Sequence, residues 1–405
     1  MPVAPYPMQT VGPLEAYGPR ERPDRAKRFT LDGSNELENH LTRVCGKVLA
    51  GVQKIIPPPK LEALVLGGGY GRGEGGVLKT GNGDRPYNDL EFYAFLRGNR
   101  FWNERKFHPA LHELGEQLSP EAGLQVEFKV DSLAHLRHGP VTMFSYDLVA
   151  AHRVLSGNTA PFIGCEHHLN AGNISLSEAT RLLMNRCSGL LFAREKLAPG
   201  PFSAEDADFV GRNIAKAQLA FGDVVLTVFG QYHWSCRERR ERLRRFSPPE
   251  RLPWLDEARR HHDAGVEFKL SPQRIVAPRA ELELRLADTT AFALPMWLWL
   301  ENRRLGCCFA SAQDYASSPV NKCPDSHRWR NYLLNAGVFG PAIFLCANCH
   351  RHPRERIFNT LAMLLWEIRP KDSDLRRQLR PADLLSGDDT KKWVAVYQSL
   401  WSHFN

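Results

Sequence analysis

The feature that most constrains this chain is a short apolar run that ends in a crowd of glycines. Leu64, Val65 and Leu66 read as a buried strand that runs straight into Gly67, Gly68 and Gly69, with Gly71, Gly73, Gly75 and Gly76 close behind. Glycines weaken both strand and helix, so the backbone is expected to turn here. Such a turn presents backbone N–H groups that can surround phosphate oxygens. The next strand signal lies at 89–94, where Leu90, Phe92 and Ala94 alternate with Asp89, Glu91 and Tyr93. Asp89 and Glu91, at i and i+2, therefore share a face. Two neighbouring carboxylates repel each other unless a positive charge lies between them. Beside a phosphate cradle the candidate is Mg2+, which takes one or two carboxylates plus substrate phosphates. Two such ions about 3.5–4 Å apart would activate an attacking hydroxyl and stabilise a leaving pyrophosphate.

The remaining pattern sets these residues in an α+β chain. Residues 1–33 are rich in Pro and charge and read as a tail. Asp32 or Ser34 is the expected cap of a helix carrying Leu37, Leu41, Val44, Val48 and Val52, which Pro57, Pro58 and Pro59 end. A helix is expected over 107–117. A third strand follows, where Leu124, Val126, Phe128 and Val130 alternate with Gln125, Glu127, Lys129 and Asp131. From residue 147 the chain reads as mostly helical, with helices expected over 177–197, 203–244, 288–305, 325–335 and 356–368. Residues 268–276 are open between strand and loop. The expected organisation is a tail (1–33), a small α/β unit with flanking helices (34–146) and a helical remainder (147–405).

The run Gly68-Gly69-Tyr70-Gly71-Arg72-Gly73-Glu74, followed by Asp89-Leu90-Glu91, resembles the nucleotidyltransferase superfamily related to DNA polymerase β. The likeness is one of motifs, over about residues 65–136. It implies a small mixed sheet in which Gly68 and Gly69 form the phosphate turn and Asp89 and Glu91 bind metal. It also implies a third metal-binding carboxylate on a later strand. Glu127 fits best, because Ser132 and Leu136 follow at the spacing usual in that family; Asp131, on the same face, is the fallback. The activity implied is Mg2+-dependent transfer of a nucleoside monophosphate from an NTP to a hydroxyl acceptor. Arg72 is counted with the nucleotide-binding residues. The helical remainder echoes two-domain members, in which it closes over the nucleotide and shapes the acceptor site. There Arg212 and Lys216, four apart on one helix face, are expected to meet the triphosphate, joined by Arg181, Asn185 and Arg186. Two departures stand out. Gly69 occupies a position where the family often has serine. The interval to Asp89 is long, and its 79–86 stretch reads either as a surface loop near the site or as a sign of altered metal geometry.

Composition agrees without deciding. Of 405 residues, 53 are Lys or Arg and 45 Asp or Glu, a net charge of +8 that favours anionic partners. The acceptor is open between a small molecule, a protein and RNA, although no RNA-binding module is recognisable. No stretch reaches the roughly 20 apolar residues of a membrane span. Nine scattered cysteines and an amino terminus without an apolar core suggest a reduced, cytoplasmic chain. Cys323, His327, Cys346 and Cys349 have the spacing of a zinc site, set against cysteines that simply pack in a core. A Rossmann site would use the same glycines, but a second carboxylate beside Asp89 and the missing βαβα continuation oppose it. The alternative from a different class is a catalytically inactive nucleotide- or RNA-binding module on the same fold.

Overall fold

The computed structural model describes residues 28–340, 343–344, 348–367, 371–379 and 390–404. Helix α1 (Asn35–Ile55) is capped by Ser34, whose side chain accepts the Leu37 N–H, so Ser34 rather than Asp32 starts it. Its apolar stripe is buried against a four-stranded sheet ordered β5-β4-β1-β6. The strands are β1 (Leu61–Leu66), β4 (Asp89–Leu96), β5 (Gln125–Asp131) and β6 (Arg153–Gly157). β4 runs parallel to β5, and β1 is antiparallel to both β4 and β6. Between β4 and β5, the crossover helix α3 (Arg100–Ala122) extends well beyond the expected 107–117.

The sheet separates two cores. Leu64, Leu66, Leu90, Phe92, Val126 and Phe128 pack with α1 and α3 on one face. Val65, Tyr93 and Phe95 pack on the other, against α4 (Leu133–His138), α5 (Met143–Ala150) and Phe162. The α/β unit thus extends past the expected boundary at 146, because β6 completes its sheet. β6 is a half-exposed edge strand without apolar alternation, which left its pattern silent. The stretch expected as a loop around 79–86 is a hairpin, β2 (Gly76–Thr80) and β3 (Gly83–Tyr87), that follows the single turn of α2 (Gly68–Gly71).

The helical half begins with α6 (Leu176–Leu197) and α7 (Ala204–Val228). The helix expected over 203–244 is two: Gly230 takes φ +67° and ends α7, and Ser235 caps α8 (Cys236–Arg245). Residues 268–270 complete α9 (Leu255–Leu270) rather than opening a strand. α10 (Arg279–Leu305) starts earlier than expected and places Trp297 in the centre of the helical core. α11 (Ala312–Ser317), α12 (Arg328–Phe339), α13 (Arg354–Trp366), α14 (Asp372–Leu379) and α15 (Thr390–Phe404) complete the half. Among the described residues no helix is long and apolar enough to cross a membrane.

Candidate active site

The glycine turn is shaped by what lies beneath it. The Gly67 N–H donates to the Glu91 carbonyl at 2.9 Å, binding the end of β1 to β4. Gly68 has φ +61°, and a Cβ there would lie 3.2 Å from Glu91 Oε2. The turn therefore sits directly on a carboxylate, and a side chain at 68 would be strained and crowded. Tyr70 secures the return path: its buried hydroxyl lies 2.8 Å from the Gly76 carbonyl and accepts the Tyr87 N–H at 2.7 Å. The β2–β3 hairpin so held carries the chain to Asn88, whose φ of +88° redirects it into Asp89. The long interval is thus a folded hairpin that delivers Asp89 to the start of β4.

Asp89 and Glu91 lie on the face of β4 shared by Tyr93, and Glu91 is directly in register with Glu127 on β5. Adjacent strands are about 4.8 Å apart, so these three carboxyl groups are neighbours. Burial raises the pKa of Asp89 above the ordinary carboxylate value, and the charge of Glu91 adds to it; Lys269, Lys216 and Lys129 act in the opposite sense. Burial likewise raises Glu127, helped by the charges of Asp89 and Glu91, while Lys129 opposes. The Tyr93 hydroxyl donates to Glu91 Oε2 at 2.8 Å, and Asn88 Nδ2 donates to Asp89 Oδ1 at 2.6 Å.

Asp131 does not join this cluster. It is in register with Phe95 at the other end of β5, where its Oδ1 lies 3.3 Å from Arg100 Nε and 3.1 Å from His135 Nδ1. Strand parity puts both acids on one face, but four residues of strand separate them by about 13 Å.

Cations of the helical half act on Asp89. Lys216 on α7 has its pKa pulled down to about 8, chiefly by surrounding protein and further by Arg186, Lys269 and Arg212, with Asp89 acting the other way. Its side chain remains within reach of solvent. Arg212, one turn before it, is held 3.2 Å from Asp208 of its own helix, which Arg274 also approaches at 2.8 Å. Lys129, Lys269 and Tyr93 were not singled out from the sequence. Period two already placed Lys129 beside Glu127 and Tyr93 beside Glu91, whereas nothing in the sequence linked Lys269 to Asp89.

Arg72, expected among the nucleotide-binding residues, makes an ion pair. Its Nη1 pairs with Asp147 Oδ2 at 2.6 Å, where both side chains are largely buried. Tyr232 Oη lies 3.4 Å from the same carboxylate and accepts from Arg239 Nη1 at 2.7 Å. Arg239 in turn pairs with Asp223 at 2.9 Å, and His262 Nε2 lies 3.2 Å from that acid. Nearby, Glu74 accepts from the Ser235 hydroxyl at 2.5 Å and from the Cys236 N–H at 2.8 Å, at the start of α8. A guanidinium removed from water needs a carboxylate, and Asp147 supplies it to Arg72.

No family model, curated protein or solved structure matches this chain.

Among the described residues, no group of three or more His, Cys, Asp or Glu side chains closes on a point that could hold a metal ion. The chemistry of the donor set nevertheless fits Mg2+. Asp89, Glu91 and Glu127 are hard oxygen donors that repel one another, and Mg2+ binds through one or two carboxylates plus phosphates and water rather than a protein cage. In the zinc alternative, Cys346 lies outside the described residues. Burial pushes the Cys323 thiol up to about 12.

Proposed function

We propose that this chain is a Mg2+-dependent nucleotidyltransferase that moves a nucleoside monophosphate from an NTP to a hydroxyl acceptor and releases pyrophosphate. One observation carries the reading: Glu91 lies against the Gly68 turn and in register with Glu127, and on the same face Asp89 is close enough to Lys216 and Lys269 for their charges to act on it. The N–H groups of Gly68 and Gly69 would hold the β- and γ-phosphates. Lys216, with Arg212 behind it, would balance phosphate charge from the helical side. Glu127 would accept the acceptor's hydroxyl proton. Mg2+, held by Asp89, Glu91 and Glu127, would supply charge neutralisation and acidify the hydroxyl. Pyrophosphate would leave in line with the incoming oxygen.

The test is transfer of label from each α-32P-NTP, with Mg2+ and cell extract supplying the acceptor. Asp89→Asn and Glu91→Gln should each abolish labelling. Undiminished labelling by both variants would sink the reading. A second reading, a nucleotide-binding module without transfer chemistry, is favoured by the failure of the three carboxylates to close on one point. It predicts thermal stabilisation by NTP and Mg2+ with no labelled product from any extract.

A further inference from the structure

A pocket of about 740 Å3 opens between α6, α7 and α15, and Arg186 and Lys216 line it. Among the described residues neither cation makes a direct hydrogen bond or ion pair; Arg186 is half-buried, and the charge of Asp223 acts on it without an ion pair. The same pocket has an apolar component, Phe192, Phe209 and Trp401, with Phe192 and Trp401 edge to face at 5.5 Å. Trp401 Nε1 donates to Asn185 Oδ1 at 3.3 Å, which fixes the orientation of the indole. Unpaired cations beside aromatic walls select a ligand with a flat ring and an acidic group. The volume suits a single small molecule. A single strand of nucleic acid would call for successive stacking platforms along a basic groove, and this pocket offers one aromatic cluster.

Its position says which substrate it serves. Every lining residue belongs to the helical half, whereas the Gly68 turn belongs to the α/β unit. Lys216 is common to the pocket and to the surroundings of Asp89. In-line displacement places the incoming hydroxyl and the leaving pyrophosphate on opposite sides of phosphorus. With pyrophosphate on the glycine turn, the hydroxyl enters from the helical side.

We propose that this pocket is the acceptor site and that the acceptor is an acidic, ring-bearing small molecule, its anionic group held by Arg186 and Lys216 and its ring against Trp401. The acceptor role rests on the nucleotidyltransferase reading; the binding chemistry does not. The probe is 1-naphthyl phosphate, titrated calorimetrically into the full chain with neutral 1-naphthol as comparison. One phosphate ester should bind per chain, at least tenfold tighter than the naphthol. Arg186→Gln and Lys216→Gln should each weaken it tenfold or more; Lys216 is at an exposed position, so its variant reports even if Arg186→Gln does not fold. Saturating Mg2+-ATP, which would share Lys216 with the probe, should weaken the probe less than tenfold and leave its Arg186-dependent binding in place; complete displacement would assign the pocket to the nucleotide and overturn the proposal. Equal binding of phosphate ester and naphthol, or indifference to both substitutions, would overturn it too, as would tighter, Arg186-dependent binding of a ten-nucleotide single-stranded RNA. Asp89→Asn should retain probe binding, so a failure of transfer chemistry is distinguishable from a failure of the pocket.

Discussion

Gly68→Ala tests whether the turn and the carboxylates form one unit. At φ +61° an alanine occupies the left-handed region, which costs about 1–2 kcal/mol. The new Cβ would also lie 3.2 Å from Glu91 Oε2 and 3.4 Å from its Cδ, tighter than an ordinary contact, so Glu91 must give by a few tenths of an ångström. One kcal/mol shifts the melting temperature by roughly 2–4 °C in a unit of 150–250 residues, so a fall of about 2–8 °C is expected. A displaced carboxylate should lower label transfer tenfold or more, because misplacement by about 1 Å can cost 100-fold. The assays are a thermal melt and the α-32P-NTP reaction. Gly46→Ala is the control: Gly46 is exposed within α1, and its Cβ would meet nothing within 4 Å. That substitution should stabilise by about 1 kcal/mol and leave transfer unchanged. A Gly68→Ala protein with parental melting temperature and parental transfer would refute the coupling.

Other expectations come from the same geometry. Asp89→Asn should stabilise the metal-free protein by about 0.2–1 kcal/mol, the scale of charge pairs on a sheet, seen as a higher melting temperature, while abolishing transfer. Because its folded-state pKa is raised, ionised Asp89 opposes folding. A pH series of melts without metal should therefore show stability falling as pH rises through the raised value, less steeply in Asp89→Asn. Tyr93→Phe removes the hydroxyl that donates to Glu91 and keeps the ring. It should cost about 1 kcal/mol in a denaturant melt and reduce transfer more than it weakens NTP binding. Lys216, at about 8, should lose its charge as pH rises through that value, so calorimetric NTP affinity should fall between about pH 7 and 9 in the parent and stay flat in Lys216→Gln. The ligand-free parent should instead gain stability from about pH 8 upward, since the unfolded lysine holds its proton to higher pH.

Much of the α/β unit was legible in local pattern. The helical stripe from Leu37 to Val52 and the alternations in β4 and β5 reflect burial on one face, and the structure places them as core. The hairpin over residues 76–87 was not legible, because its strands are short, half-exposed and interrupted by Pro86. β6 was missed for the related reason that an edge strand has little to bury. In the helical half the signal was good for where apolar helices lie and poor for where they break. The break after α7 depends on Gly230 adopting a positive φ, which composition does not announce.

The glycine run returns as the clearest case. Sequence alone established a strand that must turn at Gly67–Gly69 and two carboxylates, Asp89 and Glu91, on one face of the next strand, because both inferences need only backbone stereochemistry and a period of two. Parity alone did not separate Glu127, preferred on the family spacing, from the fallback Asp131; the parallel register of β4 with β5 brings Glu127 level with Glu91 and Asp131 level with Phe95. Nor could the sequence tell that Arg72 would pair with Asp147 and Arg239 with Asp223, while Arg186 and Lys216 would be left facing a pocket. A charge takes its role from what surrounds it once water is removed, and those surroundings come from parts of the chain far apart in sequence.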